Sequence, residues 1–334
     1  MGNKKIEVTL GVEIGGTTTV FGLVDSSGKC YVEEKIQTRP HESPEFLFDQ
    51  LFTKFGEIYN QVSDKYDMIG IGIGAPSANY YKGTIENSSN LNWKYVNVVE
   101  LVKKYWDLPT VITNDANAAA LGESKFGNAR GMKNFIQITL GTGLGSGIFV
   151  DGNIVYGHDG FAGEIGHMTV EKNGRSCGCG RKGCLETYAS TSGLVRTVLE
   201  LLSLYNDDSV LHEIAPNELT SKLIYRAAIN GDTIANMAFE ATGQKLGEAL
   251  ANVVACFSPE AIILSEGVAL AGDLIVRPTK HHMELNLLNL FKSKVDILLS
   301  GMPRGDVAIL GASALIWHEL MLEKDKKKLA MINN

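Results

Sequence analysis

The feature that most constrains what this chain can fold into is a short pattern that occurs twice. Ile6 to Ile14 is an apolar, β-branched run that stops at Gly15-Gly16-Thr17, and Thr17 to Val24 returns from it. Phe135 to Leu140 stops at Gly141-Thr142-Gly143-Leu144-Gly145, and Ser146 to Val150 returns. Such runs broken by glycine read as hairpins. Glycines let a backbone come close to a ligand, and successive N–H groups with threonine hydroxyls (Thr17, Thr18 and Thr19 in the first copy) suit phosphate oxygens. One copy in each half predicts an internal duplication, with each hairpin gripping phosphate from its own side of a cleft.

Around these hairpins, strands alternate with helices. Ser43-Pro44-Glu45 opens a helix whose stripe of Phe48, Leu51, Phe52 and Phe55 is core. Met68 to Gly74 and Thr110 to Thr113 read as strands, with a polar loop from Asn87 to Trp93 and a helix from Val98 to Trp106 between them. In the second half, helices at Ser190–Tyr205, Ile234–Phe257 and Asp273–Phe291 surround strands at Ala261–Leu264 and Val295–Leu299. A chain of 334 residues exceeds one core. The expected fold is α/β in two lobes. Residues 1–115 form the small N-terminal lobe, with a closing helix at about 307–334 packed on it, and 116–306 form the larger lobe.

At net charge −7 the chain offers no basic footprint, so neither nucleic acid nor an anionic membrane is an expected partner. No apolar run is long enough to span a bilayer, and no signal-peptide core follows Met1, so the expected location is cytoplasmic. Neither a Walker sequence nor a dinucleotide fingerprint occurs.

Two stretches carry chemistry. Asn114-Asp115-Ala116-Asn117 stands between the strand Thr110–Thr113 and a run of good helix formers. A carboxylate at a strand exit and a helix mouth faces the crevice where open α/β sheets bind ligands, so Asp115 is the candidate base; the simpler role for Asn114 or Asp115 is a helix cap. The second stretch is 163–186. His167, Cys177, Cys179 and Cys184 have the spacing His-x9-Cys-x-Cys-x4-Cys. Three thiolates and one imidazole make a closed tetrahedral set for a structural Zn²⁺. Glu164 and Glu186 flank the ligands, and a loop folded around metal brings both carboxylates near one place as hydroxyl acceptors.

These motifs, in this order, resemble the ROK family of sugar kinases and related repressors, whose fold is a duplicated ribonuclease-H-like lobe of the actin/hexokinase type. The resemblance spans about residue 8 to residue 315. It implies that Asp115 is the catalytic base and that Asn114, Glu164, His167 and Glu186 contact hexose hydroxyls, with Ser77, Ser89 and Asn90 completing the sugar contacts. It also implies that Gly15, Gly16 and Thr17, and Thr139, Gly141, Thr142 and Gly143, form two phosphate-binding turns, with Gly267 in an adenosine turn. ATP and Mg²⁺, a hexose substrate and a homodimer follow from it. Two residues depart from the family pattern. Glu13 replaces an Asp expected near Mg²⁺, and Glu266 interrupts the glycines of the adenosine turn. The repressors carry a helix-turn-helix ahead of these lobes; here the first strand begins near residue 6, leaving no room for one. The family's fructose-type loop carries His-Pro where this chain has Phe161-Ala162-Gly163-Glu164. That favours glucose, then N-acetylmannosamine or N-acetylglucosamine, with a sugar-binding sensor of little kinase activity as the alternative.

Overall fold

The computed structural model describes residues 5–88, 90–205, 208–303 and 307–332. The chain divides into two compact units. One is Met1–Gly131 with Tyr156–Ala162 and Gly301–Asn334, and the other is Met132–Val155 with Gly163–Ser300.

The N-terminal unit contains, in order, β1 (Ile6–Ile14), β2 (Thr18–Asp25), β3 (Cys30–Gln37), α1 (Pro44–Val62), β4 (Tyr66–Gly74), β5 (Ala78–Asn79), β6 (Thr84–Ser88), β7 (Trp93–Asn97), α2 (Val98–Lys103), β8 (Thr110–Thr113) and α3 (Asp115–Phe126). Its main sheet has the order β3-β2-β1-β4-β8. β1 and β2 are antiparallel, while β4 and β8 run parallel to β1. Ser43 starts α1 by accepting the Phe46 N–H at 3.2 Å, and Leu47, Phe48, Leu51, Phe52 and Phe55 are buried.

The C-terminal unit contains β9 (Phe135–Thr139), β10 (Gly145–Val150), β11 (Asn153–Ile154), α4 (Glu186–Ala189), α5 (Thr191–Leu204), α6 (Ser221–Ile229), α7 (Thr233–Phe257), β12 (Ala261–Ser265), α8 (Asp273–Asn286) and β13 (Asp296–Leu299). Its sheet order is β11-β10-β9-β12-β13, again an antiparallel hairpin on one side and two parallel strands on the other. The two sheets therefore repeat one ribonuclease-H-like topology. Their first hairpins are closed by the pairs Ile14↔Thr19 and Thr139↔Gly145, which place the two glycine–threonine turns at equivalent positions.

The last helix, α9 (Val307–Ile332), belongs to the N-terminal unit and packs on β1 and β4. The glycines of these strands face it. A Cβ on Gly11 would overlap the Ile309 carbonyl, and one on Gly72 the Ala312 carbonyl. Gly70 and Gly72 of β4 thus admit a helix rather than a ligand. α9 also fixes α3: a Cβ on Gly311 would stand 2.7 Å from the Ala118 carbonyl, and one on Gly122 would stand 3.1 Å from Gly311 Cα. This close packing holds α3 in the N-terminal unit, whose first segment runs to Gly131.

Other boundaries shift too. The two ends of the expected loop Asn87–Trp93 are absorbed into the small β5-β6-β7 sheet, where Ser88 pairs with Trp93, and 90–92 remain a turn. The helix expected to reach Phe291 ends at Asn286, and α6 is additional. Among the described residues no helix is long and apolar enough to cross a membrane.

Candidate active site

In the N-terminal unit, β1, β4 and β8 end side by side. Glu13 pairs with Gly74, and Gly74 with Thr113. Asn114 follows as the N-cap of α3, its Oδ1 accepting the Ala116 N–H at 2.9 Å. The cap role therefore falls to Asn114, and Asp115 is the first helical residue. Asp115 Oδ1 also accepts the Ala116 N–H, at 2.8 Å. The residue is open to solvent, yet protein crowds around it at longer range. That desolvation raises its carboxyl above the ordinary value and outweighs the opposing backbone N–H groups. A carboxylate held this way is a better proton acceptor than a free one.

Glu13 lies two strands away, level with Thr113 across Gly74. A Cβ on Gly74 would overlap Glu13 Oε2, so the glycine leaves room for the longer carboxylate arm. The first phosphate turn is closed by the Gly15 N–H donating to Thr18 O at 3.1 Å and by Thr38 Oγ1 donating to Gly15 O at 2.6 Å. A Cβ on Gly16 would stand 3.1 Å from the Asn90 carbonyl, so Asn90 abuts this turn. Thr17 is exposed. Thr19 is not a phosphate ligand as its spacing suggested, because it is buried with its hydroxyl on Thr38 Oγ1 at 2.9 Å. Ser77 is half-buried at φ 57°, and its carbonyl accepts the Glu86 N–H at 3.0 Å. Ser89 lies outside the described residues.

In the C-terminal unit, the ligand atoms of His167, Cys177, Cys179 and Cys184 all lie within 4.8 Å of one another. Cys179 Sγ and Cys184 Sγ are 3.7 Å apart, and Cys177 Sγ is 3.7 Å from His167 Nδ1. Zinc–sulfur bonds of about 2.3 Å put neighbouring sulfurs roughly 3.8 Å apart in a tetrahedron, so the set fits Zn²⁺. The separation is far too long for a disulfide. Nδ1 is the ring nitrogen that faces the sulfurs. Nε2 points away, 3.9 Å from Glu164 Oε2. Burial and the Glu186 carboxylate, 2.8 Å away, push the Cys177 thiol up, so a bound metal must displace its proton. Glu186 Oε1 is 3.6 Å from His167 Nδ1. Glu164, His167 and Glu186 are thus gathered at one place.

The same carboxylate reaches the second phosphate turn. A Cβ on Gly143 would stand 2.8 Å from Glu186 Oε2. Behind the turn, the Thr191 N–H donates to Gly141 O at 2.9 Å and Ser192 Oγ to Thr142 O at 2.8 Å. Those carbonyls are therefore occupied by the start of α5. A Cβ on Gly267 would overlap the Leu140 carbonyl, which puts the expected adenosine turn against the same loop. Glu266 takes φ 61° and ψ 171°, a region that glycine favours and that costs other residues about 1–3 kcal/mol. Thr139 ends β9 beneath the turn.

Sequence reasoning missed the supports of this site. Ser146 on β10 donates to Gly163 O and accepts the Ile165 N–H at 3.2 Å, pinning the turn that carries Glu164 and His167. Arg175 and Tyr188 brace the metal loop from behind. A lone serine, arginine or tyrosine carries no local signal of such a role.

The family model of the ROK family matches residues 9–319. The chain belongs to the ROK family. Among its relatives, a glucokinase of Halalkalibacterium halodurans is 35% identical over 279 residues, covering 82% of this chain and 84% of that one. A xylose repressor of Caldicellulosiruptor bescii is 32% identical over 276 residues, covering 82% of this chain and 69% of the repressor. The crystal structure of a ROK family glucokinase from Streptomyces griseus in complex with glucose and AMPPNP superposes with a TM-score of 0.77 at 32% identity, over 92% of this chain and 98% of that one. The fold of this ROK protein is accordingly of the actin/hexokinase type.

Proposed function

We propose that this ROK sugar kinase transfers the γ-phosphoryl group of ATP to glucose, with Asp115 as the general base. The observation that carries the reading is Asp115 itself, a carboxylate of raised basicity beside strand ends that also present Glu13 and the Gly15–Gly16 turn. Phosphoryl transfer needs positioning and charge stabilisation more than covalent chemistry. Asp115 takes the proton of the attacking hydroxyl. Glu164 and Glu186 accept sugar hydroxyls, and Asn114, its Oδ1 committed to the cap, offers its NH₂. Zinc, if held through Nδ1, would fix the His167 proton on Nε2, where it would be placed to donate to a sugar oxygen. The N–H groups of Gly16, Gly141 and Gly143, with the Thr17 and Thr142 hydroxyls, bind phosphate oxygens, while the Gly15 N–H closes its own turn on Thr18 O. Mg²⁺, when bound beside Glu13, neutralises charge on the triphosphate. The glucokinase relatives, and the glucose and AMPPNP in the Streptomyces griseus structure, support both substrates.

With ATP and Mg²⁺, a hexose panel followed by coupled ADP release is expected to rank glucose first, with a specificity constant about tenfold or more above fructose. A ratio favouring fructose would refute the assignment from Phe161 to His167. Glu13→Gln is expected to abolish Mg²⁺-dependent turnover, and Glu13→Asp to shift the Mg²⁺ concentration for half-maximal rate. Parent-like Mg²⁺ titrations in both would remove this carboxylate from the reaction. The xylose repressor relative favours a second reading, a sugar-binding regulator. Sugar binding by calorimetry without ADP release is its signature. The homodimer belongs to the same proposal, and its measure is molar mass in solution.

A further inference from the structure

Arg175 stands in the metal loop, two residues before Cys177, with its side chain only 9% exposed. A guanidinium has five N–H donors in a fixed fork. Here all five are used. Nε and one terminal nitrogen donate to Glu200 Oε1 and Oε2 at 2.9 and 2.6 Å. That same terminal nitrogen donates to Thr197 Oγ1 at 2.9 Å. The other donates to the carbonyls of Thr187 and Gly193 at 2.7 and 3.2 Å. The plane lies 4.4 Å from the centre of the Tyr188 ring, and the Arg175 N–H donates to Tyr188 Oη at 3.0 Å.

These partners belong to α4, to α5 and to the sharp junction between them. A Cβ on Gly193 would stand 2.7 Å from the Tyr188 backbone, so there is no slack at that junction. Ser190 Oγ donates to Glu186 O at 2.6 Å and accepts the Gly193 N–H at 3.0 Å. From the junction, Glu186 projects at one end, while Thr191 and Ser192 hold the carbonyls of the second phosphate turn at the other.

We propose that Arg175 is a positioning residue for sugar and phosphoryl donor together, locking the α4–α5 junction that presents Glu186 and holds Gly141 and Thr142. The inference rests on the kinase reading for its substrates, but its mechanics do not. Lysine keeps the charge and loses the fork, so it cannot replace arginine here. In Arg175→Lys, both the glucose KM and the ATP KM are expected to rise, glucose by about tenfold, because displacements of an ångström are that costly. Zinc content should stay near one per chain, since no ligand is touched. Glu200→Gln, which keeps the shape at a half-exposed partner, should raise both constants by about threefold or less.

Amide exchange at Thr191 and Gly193 reads the junction whether or not the protein phosphorylates sugar, and both amides should exchange at least about tenfold faster in Arg175→Lys. If parent protein releases no ADP with any hexose, the kinase reading fails and faster exchange alone upholds the coupling. If Arg175→Lys lowers Tm while both KM values and both exchange rates match the parent, Arg175 is only a staple and the proposal is overturned. A rise in the glucose KM alone, with unchanged Thr191 exchange, overturns it too.

Discussion

Asp115→Asn is expected to lower turnover about a hundredfold or more, with the fold and sugar binding retained, because a positioned base contributes that much to proton transfer. The substitution is nearly isosteric, and the amide oxygen can still accept the Ala116 N–H. Stability should hold or rise. The folded-state pKa of Asp115 is raised, so the native state binds the proton more readily than the unfolded chain, and its ionised form works against the fold at neutral pH. Removing the charge removes that penalty. The same shift moves the acid limb of kcat/KM upward from where a free aspartate would put it, with activity falling as pH drops through it. The residual activity of the variant should lack this limb. Near-parent turnover with an intact acid limb would assign the base elsewhere.

Removing the zinc proposed for the His167, Cys177, Cys179 and Cys184 cluster is expected to have the second large effect. His167, Cys177, Cys179 and Cys184 hold Glu164, the His167 ring and Glu186 together, and without metal these groups must be ordered by the sugar itself. Cys179→Ser, or treatment with a strong chelator, should raise the glucose KM roughly ten- to a hundredfold. From motif position alone, the nucleotide turns lie outside the loop and the ATP KM should change much less than the glucose KM. The structure supplies a route for that smaller change, because Glu186 packs over Gly143 and the α4–α5 junction holds Gly141 and Thr142. The ATP KM should therefore rise as well, by less than the glucose KM. Helical circular dichroism should change little, since each unit has its own buried core. A zinc-free protein with an unchanged glucose KM would reduce the loop to a fastener.

What could be read from the chain was what is encoded locally. The two glycine–threonine turns announce themselves through their glycines, and a side chain there would crowd Asn90 at Gly16 or press on the Glu186 carboxylate at Gly143. The metal ligands are legible because soft donors crowd into one short loop. Long-range partners left no such mark. Nothing local ties α3 to the N-terminal unit, because its packing surface, Gly311 of α9, comes near the end of the chain. The β5-β6-β7 sheet was hidden because its strands are short and rich in asparagine and serine, residues that read as loop. Thr19 looked like a phosphate ligand until Thr38, on the far side of the meander, was seen to take its hydroxyl. Arg175 could not be found because its meaning lies wholly in partners on α4 and α5.

The most direct test of the account is phosphorus NMR of a reaction holding the protein, glucose, ATP and Mg²⁺. A hexose phosphate-ester resonance growing in step with ADP, and about a hundredfold or more slower with Asp115→Asn, is the predicted result. ADP accumulating with inorganic phosphate and no ester, or no ADP at all although calorimetry shows glucose bound, would contradict it.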